Sequence, residues 1–405
     1  MIDDIAIVGI GLKVAECTSF WDYYLKLQKK ESLYQTIEGK RLTDLHDYLK
    51  KVHKSMKEIP RRRHCFLKNI DQFDYSTFHI SPKEAAYMDP NQRLMLETVY
   101  SAFIDSGISI NKGSNTSVFI GYRENKDYLE LIENFDPEML SFALPGNLSA
   151  AIAGRISYTF DWKGNCMLMD SGDSSSLLAL QSACDSISRK EADIAVAGGI
   201  DLHILPFERK KREETFELKE KGECVAAVVL KPLSDAIKDK NPIFGVIKSC
   251  ISNRSSTHES LFQKEKLLTA CLQNIDSKVN RLNLVELSGT ADTQEKEVVK
   301  RLLSKYPLNA NKEPVIDTLS DDIDNLEVSS GLMGLMKALF CLDNHIDDVN
   351  QLDIKDMILL AHFGKDGGNT CAILEKSEEY IGERKELLEG KRKQTLIGSR
   401  CWINN

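Results

Sequence analysis

The stretch Met169-Asp-Ser-Gly-Asp-Ser-Ser-Ser-Leu-Leu-Ala-Leu-Gln181 leads from one kind of local pattern directly into another. The apolar run at residues 166–170 is typical of a buried strand, and the apolar side chains spaced over residues 175–188 are typical of an amphipathic helix. The small residues between the two patterns predict a sharp turn from a strand into a helix. A side chain at that turn, Asp173, lies at a helix N-terminus, where free backbone N–H groups favour a negative charge. Composition alone favours a simpler interpretation, in which the Asp and Ser residues of the turn cap the helix.

Strand and helix patterns alternate on both sides of this stretch. Further strands are predicted at residues 5–9, 117–121, 193–199, 224–230, 244–247, 284–287, 357–361 and 370–374, and further helices at residues 20–25 and 331–342. This alternation predicts a layered α/β protein with largely buried sheets. We place a boundary between two pseudo-repeat halves, residues 1–235 and 236–405, and expect the halves to share one core. The charged, aperiodic segments 34–64 and 204–222 are expected to be surface excursions.

Length and charge exclude several classes of function. The chain has 405 residues, with 53 Lys and Arg against 61 Asp and Glu, and its net charge of −8 argues against general nucleic-acid binding. It has no apolar stretch of membrane-spanning length and no basic region at its N-terminus, so neither a membrane span nor a signal peptide is expected. Its 10 cysteines are scattered, without a CxxC pair or a Cys/His cluster, which favours reduced thiols, no metal site and a cytoplasmic location.

The turn around Asp173 resembles the nucleophile elbow of the β-ketoacyl synthases, the condensing enzymes of polyketide and fatty-acid synthesis, whose pattern there is Asp-Thr-Ala-Cys-Ser-Ser-Ser. Stretches similar to the modular polyketide branch of that family follow in order along the chain, at residues 4–9, 20–21, 73–74, 78, 80–85, 88–94, 146–150, 153–158, 197–199 and 230–236. The resemblance implies a thiolase fold with five αβαβα layers. It also implies a dimer whose interface includes a strand around residues 117–121.

The resemblance places the catalytic positions of the family on residues of different chemistry. The cysteine nucleophile falls on Asp173, the first histidine on Ser288 and the second histidine on Asn325. The catalytic lysine falls on Ser320, and the gating phenylalanine falls on Lys365. The family's catalytic side chains are therefore expected to be absent from this chain.

These replacements affect two steps of the family's reaction. Condensation needs a thiolate that carries the acyl group as a thioester, and an aspartate is an improbable substitute because its acyl anhydride would be prone to hydrolysis. Decarboxylation of the extender unit needs hydrogen-bond donors at the developing enolate oxygen, and losing one such donor costs about two to three orders of magnitude in rate. Ser288 and Asn325 can donate hydrogen bonds, but neither is cationic or titrates near neutral pH. We therefore expect no chain elongation by this protein.

The pocket that the resemblance implies also includes Ser174, Gly367 and Asn369. Within it, a thiol-to-acid change and an apolar-to-basic change fall at facing positions. One hypothesis is therefore an ion pair between Asp173 and Lys365 that plugs the pocket. The alternative is that each of these side chains points separately to water or caps a backbone group, and both interpretations stay open at this point.

Two functions are compatible with such an altered site. The first is a binding subunit that recruits acyl carrier protein or forms a dimer, with itself or with an active ketosynthase. The second is a malonyl-carrier-protein decarboxylase, similar to the free-standing ketosynthases of β-branching cassettes that lack the cysteine. This second function requires a protonated Asp173 that donates to the enolate oxygen. A third possibility, an intact condensing enzyme that uses Cys184 or Cys371, finds no partner base in the sequence.

The expected ligand follows from the same resemblance. No cofactor is expected to bind tightly, and the phosphopantetheine arm of acyl carrier protein is the implied substrate or ligand. Carrier proteins of the family are acidic, so a docking surface should be locally basic despite the negative net charge. The candidates are two basic runs, Arg61, Arg62 and Arg63 in one and Arg209, Lys210, Lys211 and Arg212 in the other. Each run taken singly also suits a solvated charged loop.

Overall fold

The strands of the protein follow the apolar runs of the sequence closely. The computed structural model describes residues 4–53, 64–209, 216–218, 221–256, 260–288, 293–306, 314–318, 323, 325–342 and 356–377. The strands are β1 (Ile5–Val14), β2 (Thr116–Gly121), β3 (Cys166–Met169), β4 (Ile194–Asp201), β5 (Phe207–Arg209), β6 (Phe216–Leu218), β7 (Cys224–Pro232), β8 (Gly245–Arg254), β9 (Leu282–Ser288), β10 (Val315–Thr318), β11 (Met357–Phe363) and β12 (Gly368–Glu375). Each strand predicted from the sequence is present, and most extend beyond the predicted bounds.

The helices lie between these strands. They are α1 (Phe20–Gln28), α2 (Gly39–Lys51), α3 (Pro82–Tyr87), α4 (Pro90–Ser106), α5 (Asp127–Phe135), α6 (Leu140–Ala143), α7 (Ala151–Phe160), α8 (Ser175–Ser188), α9 (Leu233–Lys238), α10 (Ser260–Gln273), α11 (Thr293–Leu303) and α12 (Ser330–Leu342). The predicted helix at residues 175–188 has the observed bounds of α8. Within the described ranges, no helix combines the length and the apolar character needed to cross a membrane.

Ten of the strands form one sheet that repeats a single strand order. The order is β10-β9-β11-β12-β8-β1-β7-β4-β2-β3. Each half contributes five strands, and when these are numbered along the chain within their half, they lie in the order third, second, fourth, fifth, first. The halves join where β1 pairs with β8 at Ile5 and Ile247. The predicted boundary between residues 235 and 236 falls inside α9 and stays a prediction.

Helices cover both faces of the folded sheet and fill its centre. α8 packs on β2 and β4, α12 packs on β9 and β11, and the two helices contact each other. A hydrogen bond of 3.2 Å from the Leu332 N–H to Ser176 Oγ joins them. α4 and α7 cover the outer face of the first half, and α10 covers that of the second. This is the five-layered αβαβα arrangement that the sequence predicts.

The strand predicted to form a dimer interface lies inside the sheet. β2 is hydrogen-bonded to β3 on one side and to β4 on the other, and all of its residues are buried. Its backbone groups are therefore already paired, and the prediction that this strand contributes an interface was wrong. Among the described strands, β3 ends this side of the sheet, and its residues are partly or fully exposed.

The segment predicted as a surface excursion at residues 34–64 contains the 13-residue helix α2. Its apolar residues Leu45, Tyr48 and Leu49 are buried and pack against residues 66, 205 and 207. Arg41, on the same helix, forms a bidentate pair with the fully buried Glu223, at 2.6 and 2.8 Å. The prediction was wrong because a narrow apolar stripe is enough to dock a helix whose other positions are charged.

Candidate functional site

The turn between β3 and α8 has the sharp geometry that the sequence predicts. Gly172 has a left-handed φ of +63°, which favours glycine, and a Cβ there would collide with the Asp366 carboxylate. Ser175 closes the turn, since its Oγ donates to the Gly172 carbonyl at 2.6 Å and accepts from the Ser171 N–H at 2.8 Å. Asp173 follows Gly172 and is only 9% exposed. The turn thus presents one nearly buried carboxylate just before α8.

A guanidinium faces this carboxylate. Arg123, two residues beyond the end of β2, places Nη2 at 3.3 Å from Asp173 Oδ1 and at 2.8 Å from Asp366 Oδ2. Its Nη1 lies 3.4 Å from Glu327 Oε1. Burial raises the pKa of the Asp173 carboxyl above its usual value, although Arg123 favours the charged form. One cation therefore serves three carboxylates from three separate parts of the chain.

Lys365 is not the ion-pair partner of Asp173. Its side chain is exposed, whereas the neighbouring Asp366 turns its carboxylate to Arg123. Among the described residues, Arg123 is the cation paired with Asp173. The hypothesis of a plug formed by Asp173 and Lys365 was wrong in its partner, because the turn after β11 presents the acidic residue rather than the basic one to the site.

The loop between β11 and β12 lies against the turn before α8. Ser174 is buried, and its Oγ donates to the Ser171 carbonyl at 3.0 Å. The Gly367 N–H donates to the Gly364 carbonyl at 3.0 Å and closes the loop. Asn369 is buried, and its Nδ2 lies 3.0 Å from Ser255 Oγ. The structure thus brings Ser174 close to the loop that carries Gly367. Asn369 contacts the same loop, since its Nδ2 also lies 3.4 Å from the Gly367 carbonyl oxygen.

The other two predicted catalytic positions have local hydrogen-bonding roles. Asn325 Oδ1 accepts from the Glu327 N–H at 2.9 Å, a local side-chain to backbone bond just before the short 3-10 turn Glu327–Ser329 that leads into α12. Ser288, the last residue of β9, is buried, and its Oγ lies 3.0 Å from Nδ1 of His362. Ser320 lies outside the described residues.

His362 is a buried imidazole beside Ser288, the predicted position of a family histidine. It stands opposite Ser288 in the parallel pairing of β11 and β9. Burial lowers its pKa from 6.5 to about 4, so the ring is neutral at pH 7. Its Nε2 is buried and has no hydrogen-bond partner within the described part of the chain. The ring therefore retains one free nitrogen.

A second group of acidic residues adjoins Arg123. Asp201 ends β4, and Glu327 lies at the start of the 3-10 turn. Burial, and next the neighbouring Glu327 carboxylate, raise the pKa of Asp201 well above its usual value. Burial alone would raise the pKa of Glu327. Its contacts with neighbouring groups, of which the contact with Lys221 is the strongest, outweigh burial and hold the pKa of Glu327 below its usual value.

Sequence reasoning missed Arg123, Asp201 and His362. Each of them lies at or just beyond the carboxyl end of a strand: β2, β4 or β11. β2, β3 and β4 are parallel, so their carboxyl ends meet at one edge of the sheet. Each of the three residues also lies one or two residues beyond the end of a predicted strand, so the kind of position that drew attention to Asp173 could have drawn attention to these residues as well.

The candidate docking residues fall mostly beyond the described structure. Arg209 is the last residue of β5, in a short hairpin with β6. Arg61, Arg62, Arg63, Lys210, Lys211 and Arg212 lie outside the described residues. The basic docking surface therefore stays a prediction.

Comparison with known sequences connects most of the chain to one family. The sequence model of "Beta-ketoacyl synthase, N-terminal domain" matches residues 3–228, more than half of the chain. "Polyketide synthase PksM" of Bacillus subtilis is 30% identical over 371 residues, covering 85% of this chain and 8% of that protein. "Non-reducing polyketide synthase olcA" of Penicillium canescens is 30% identical over 380 residues, covering 85% of this chain and 15% of that protein. The chain thus spans a small part of the length of these relatives.

Comparison with solved structures supports the fold. The ketosynthase from module 6 of the bacillaene synthase of Bacillus subtilis 168 superposes with a TM-score of 0.76 at 21% identity. The match covers 97% of this chain and 76% of that one. At this identity the likeness concerns the fold, which is the thiolase fold that the sequence predicts.

Proposed function

Because this chain belongs to the β-ketoacyl synthase family, we propose that it is a non-condensing member that acts by binding. In this proposal it binds acyl carrier protein through the phosphopantetheine arm, or pairs with an active ketosynthase. The observation that carries the proposal is the contact between Asp173 and Arg123 at the turn before α8. By resemblance, that turn is where the family places its nucleophile.

The chemistry of this contact argues against condensation. An acyl group in transit needs a soft, strong nucleophile, and a carboxylate held by a guanidinium is a weak one. Arg123 reaches Asp173, Glu327 and Asp366 together, so moving it away breaks three ion pairs at once. A site held by these contacts is suited to a fixed binding surface rather than to turning over acyl groups.

Exposed apolar groups at the end of the sheet support a partner role. Met167 in β3 is 48% exposed, and Tyr158 in α7, which packs against β3, is 87% exposed. Leu148, just before α7, is 59% exposed. Large apolar side chains gathered beside a free strand edge are typical of a protein interface. We propose that β3 and α7 form the surface on which this chain dimerises, with itself or with an active ketosynthase.

One observation favours a second function, decarboxylation of malonyl-carrier protein. The neutral ring of His362 is hydrogen-bonded to Ser288 and keeps Nε2 free. An imidazole there could donate a hydrogen bond to an enolate oxygen, as the lost family histidine would. The carboxylate of Asp173 opposes this function, because it repels both the malonyl carboxylate and the enolate unless it is protonated.

Intact mass spectrometry of malonyl-loaded carrier protein separates the two functions. The carrier protein is incubated with and without this protein at a catalytic ratio, and the loss of carbon dioxide is followed over many turnovers. The binding function predicts an unchanged malonyl mass together with a measurable complex. Turnover that is lost in the Asn325→Ala or His362→Asn variant would establish the decarboxylase instead, and its loss in Asp173→Ala as well would show that Asp173 acts in its protonated form. Lys365→Met is the matched control, since Lys365 is exposed and forms no ion pair with Asp173 among the described residues.

A further inference from the structure

Three buried side chains converge beside Arg123, and the roles described so far do not explain their grouping. They are Asp201 at the end of β4, His203 two residues later, and Glu327 in the 3-10 turn before α12. Their exposed fractions are 5%, 4% and 7%. One imidazole nitrogen and one oxygen from each carboxylate all lie within 4.8 Å of one another. Residues from two distant parts of the chain thus meet in a space small enough for a single ion.

Asp201 adds an independent observation. Its Oδ2 is buried and has no hydrogen-bond partner among the residues that the structure describes. An unpartnered carboxylate oxygen out of contact with water costs free energy, so native proteins nearly always provide it with a donor, a proton or a cation. This oxygen belongs to the same group as the His203 and Glu327 ligand atoms.

The nearby cations do not supply that partner. Lys221 and Arg123 both contact Oε1 of Glu327, and this leaves Oε2 outside both ion pairs. Neither cation is within ion-pair distance of Asp201 among the described residues. Two carboxylates therefore approach each other in a buried space with only one of them neutralised directly.

We propose that Asp201, His203 and Glu327 bind one divalent transition-metal ion. One imidazole and two carboxylates form a ligand set that suits Mn²⁺, Fe²⁺ or Zn²⁺, and water completes the coordination. The ion would neutralise Asp201 and join the end of β4 to the start of α12. Because Glu327 also contacts Arg123, the ion would help to hold Arg123 against Asp173.

Mn²⁺ is the appropriate probe, because it prefers oxygen and nitrogen ligands and avoids the chain's free thiols. The chelator-treated full chain is titrated with Mn²⁺, and the electron paramagnetic resonance signal of free Mn²⁺ is followed. We expect one ion to bind per chain, and Asp201→Asn to weaken its binding at least tenfold. Asp366→Asn is the matched control: it removes one carboxylate from the same Arg123 network but lies outside the ligand set.

Each outcome decides the proposal. Binding that is weakened in Asp201→Asn and unchanged in Asp366→Asn supports the site. Equal weakening of Mn²⁺ binding in both variants would show nonspecific electrostatic attraction of Mn²⁺ to the acidic residues. No binding to the parent chain would show that Asp201 and Glu327 share a proton instead. If Asp201→Asn does not fold, as judged by its melting temperature without metal, His203→Gln provides the same comparison.

Discussion

Arg123 Nη2 lies 3.3 Å from Asp173 Oδ1, and this contact joins the end of β2 to the turn before α8. The two side chains lie in the loops that follow neighbouring parallel strands, so the sheet brings both to the same edge. Asp366, from the loop after β11, contacts the same guanidinium at 2.8 Å. The site is thus held by charges from both halves of the chain, which makes it a joint between the halves as well as a candidate pocket.

Replacement of Arg123 tests this joint. Arg123→Gln should lower the free energy of unfolding by about 1–2 kcal/mol, because it leaves the nearly buried Asp173 and Glu327 with one cation fewer. Urea denaturation measures the change. Lys365→Met is the control and should unfold like the parent chain, since Lys365 is exposed.

A double-mutant cycle identifies the partner. Arg123→Gln should lower the free energy of unfolding by less when Asp173→Asn is already present, because the carboxylate that needs the guanidinium is then absent. Equal costs in both backgrounds would mean that Arg123 acts mainly through Asp366 and Glu327. If Lys365→Met were destabilised, that result would support the ion pair between Asp173 and Lys365 that the sequence suggested.

The docking of α2 depends on one buried ion pair. Arg41→Met should destabilise the protein by about 3–5 kcal/mol, because it leaves Glu223 charged and fully buried without its partner. The neighbouring Lys40, whose ion pair with Asp71 is exposed, provides the control Lys40→Met, expected within about 0.5 kcal/mol of the parent. Chemical denaturation of both variants compares them. Similar midpoints for the two would refute the buried role of Arg41.

The sequence predicted the buried elements well and the polar contacts poorly, for a physical reason. The strand at residues 224–230 is apolar along its whole length, and the helix at residues 175–188 has apolar residues along one side, so local sequence patterns identify both. Arg123 is one polar residue in a loop, and its partner Asp366 lies 243 positions away. Only the topology of the sheet brings the two together.

The same contrast holds within the candidate site, where the position of a turn was predicted and a hydrogen bond between two strands was not. The turn at Asp173 is marked by small residues next to a strand and a helix, and its position was predicted correctly. The pairing of Ser288 with His362 depends on the register between β9 and β11, which are separated by other elements along the chain. Such register cannot be obtained from either strand alone, so this hydrogen bond was missed.

The buried ring of His362 should make stability depend on pH. Its pKa is lowered from 6.5 in the unfolded chain to about 4, so the unfolded state binds more protons between these values. The stabilisation is therefore complete above pH 6.5 and is lost progressively as the pH falls from 6.5 to about 4. Between pH 7 and 4.5 the parent should lose about 2–3 kcal/mol more than His362→Asn. Parallel slopes for the two proteins, measured by urea denaturation, would contradict the burial of a neutral ring.

Gly121 allows β2 and α8 to approach closely. A Cβ there would lie 2.6 Å from the Ser175 carbonyl carbon and from the Ser176 nitrogen, both of them backbone atoms of α8. Gly121→Ala should therefore cost about 1–3 kcal/mol through overpacking. Gly154→Ala in α7 meets open space and should instead stabilise by up to about 1 kcal/mol through helix propensity. Thermal and urea unfolding should move in opposite directions for the two variants.

The position of β3 at the end of the sheet, among the described strands, leads to a prediction about assembly. A strand edge with unpaired backbone groups and exposed apolar side chains favours pairing with a second chain, and two-fold symmetry lets β3 meet its own copy. Met167→Glu, which places a charge on this edge, should convert a dimer into a monomer in light scattering coupled to size-exclusion chromatography. Phe262→Glu is the control, because Phe262 is 66% exposed on α10, which packs on the other half of the sheet. A parent chain that elutes as a monomer, or a Met167→Glu variant that remains dimeric, would place the partner surface elsewhere.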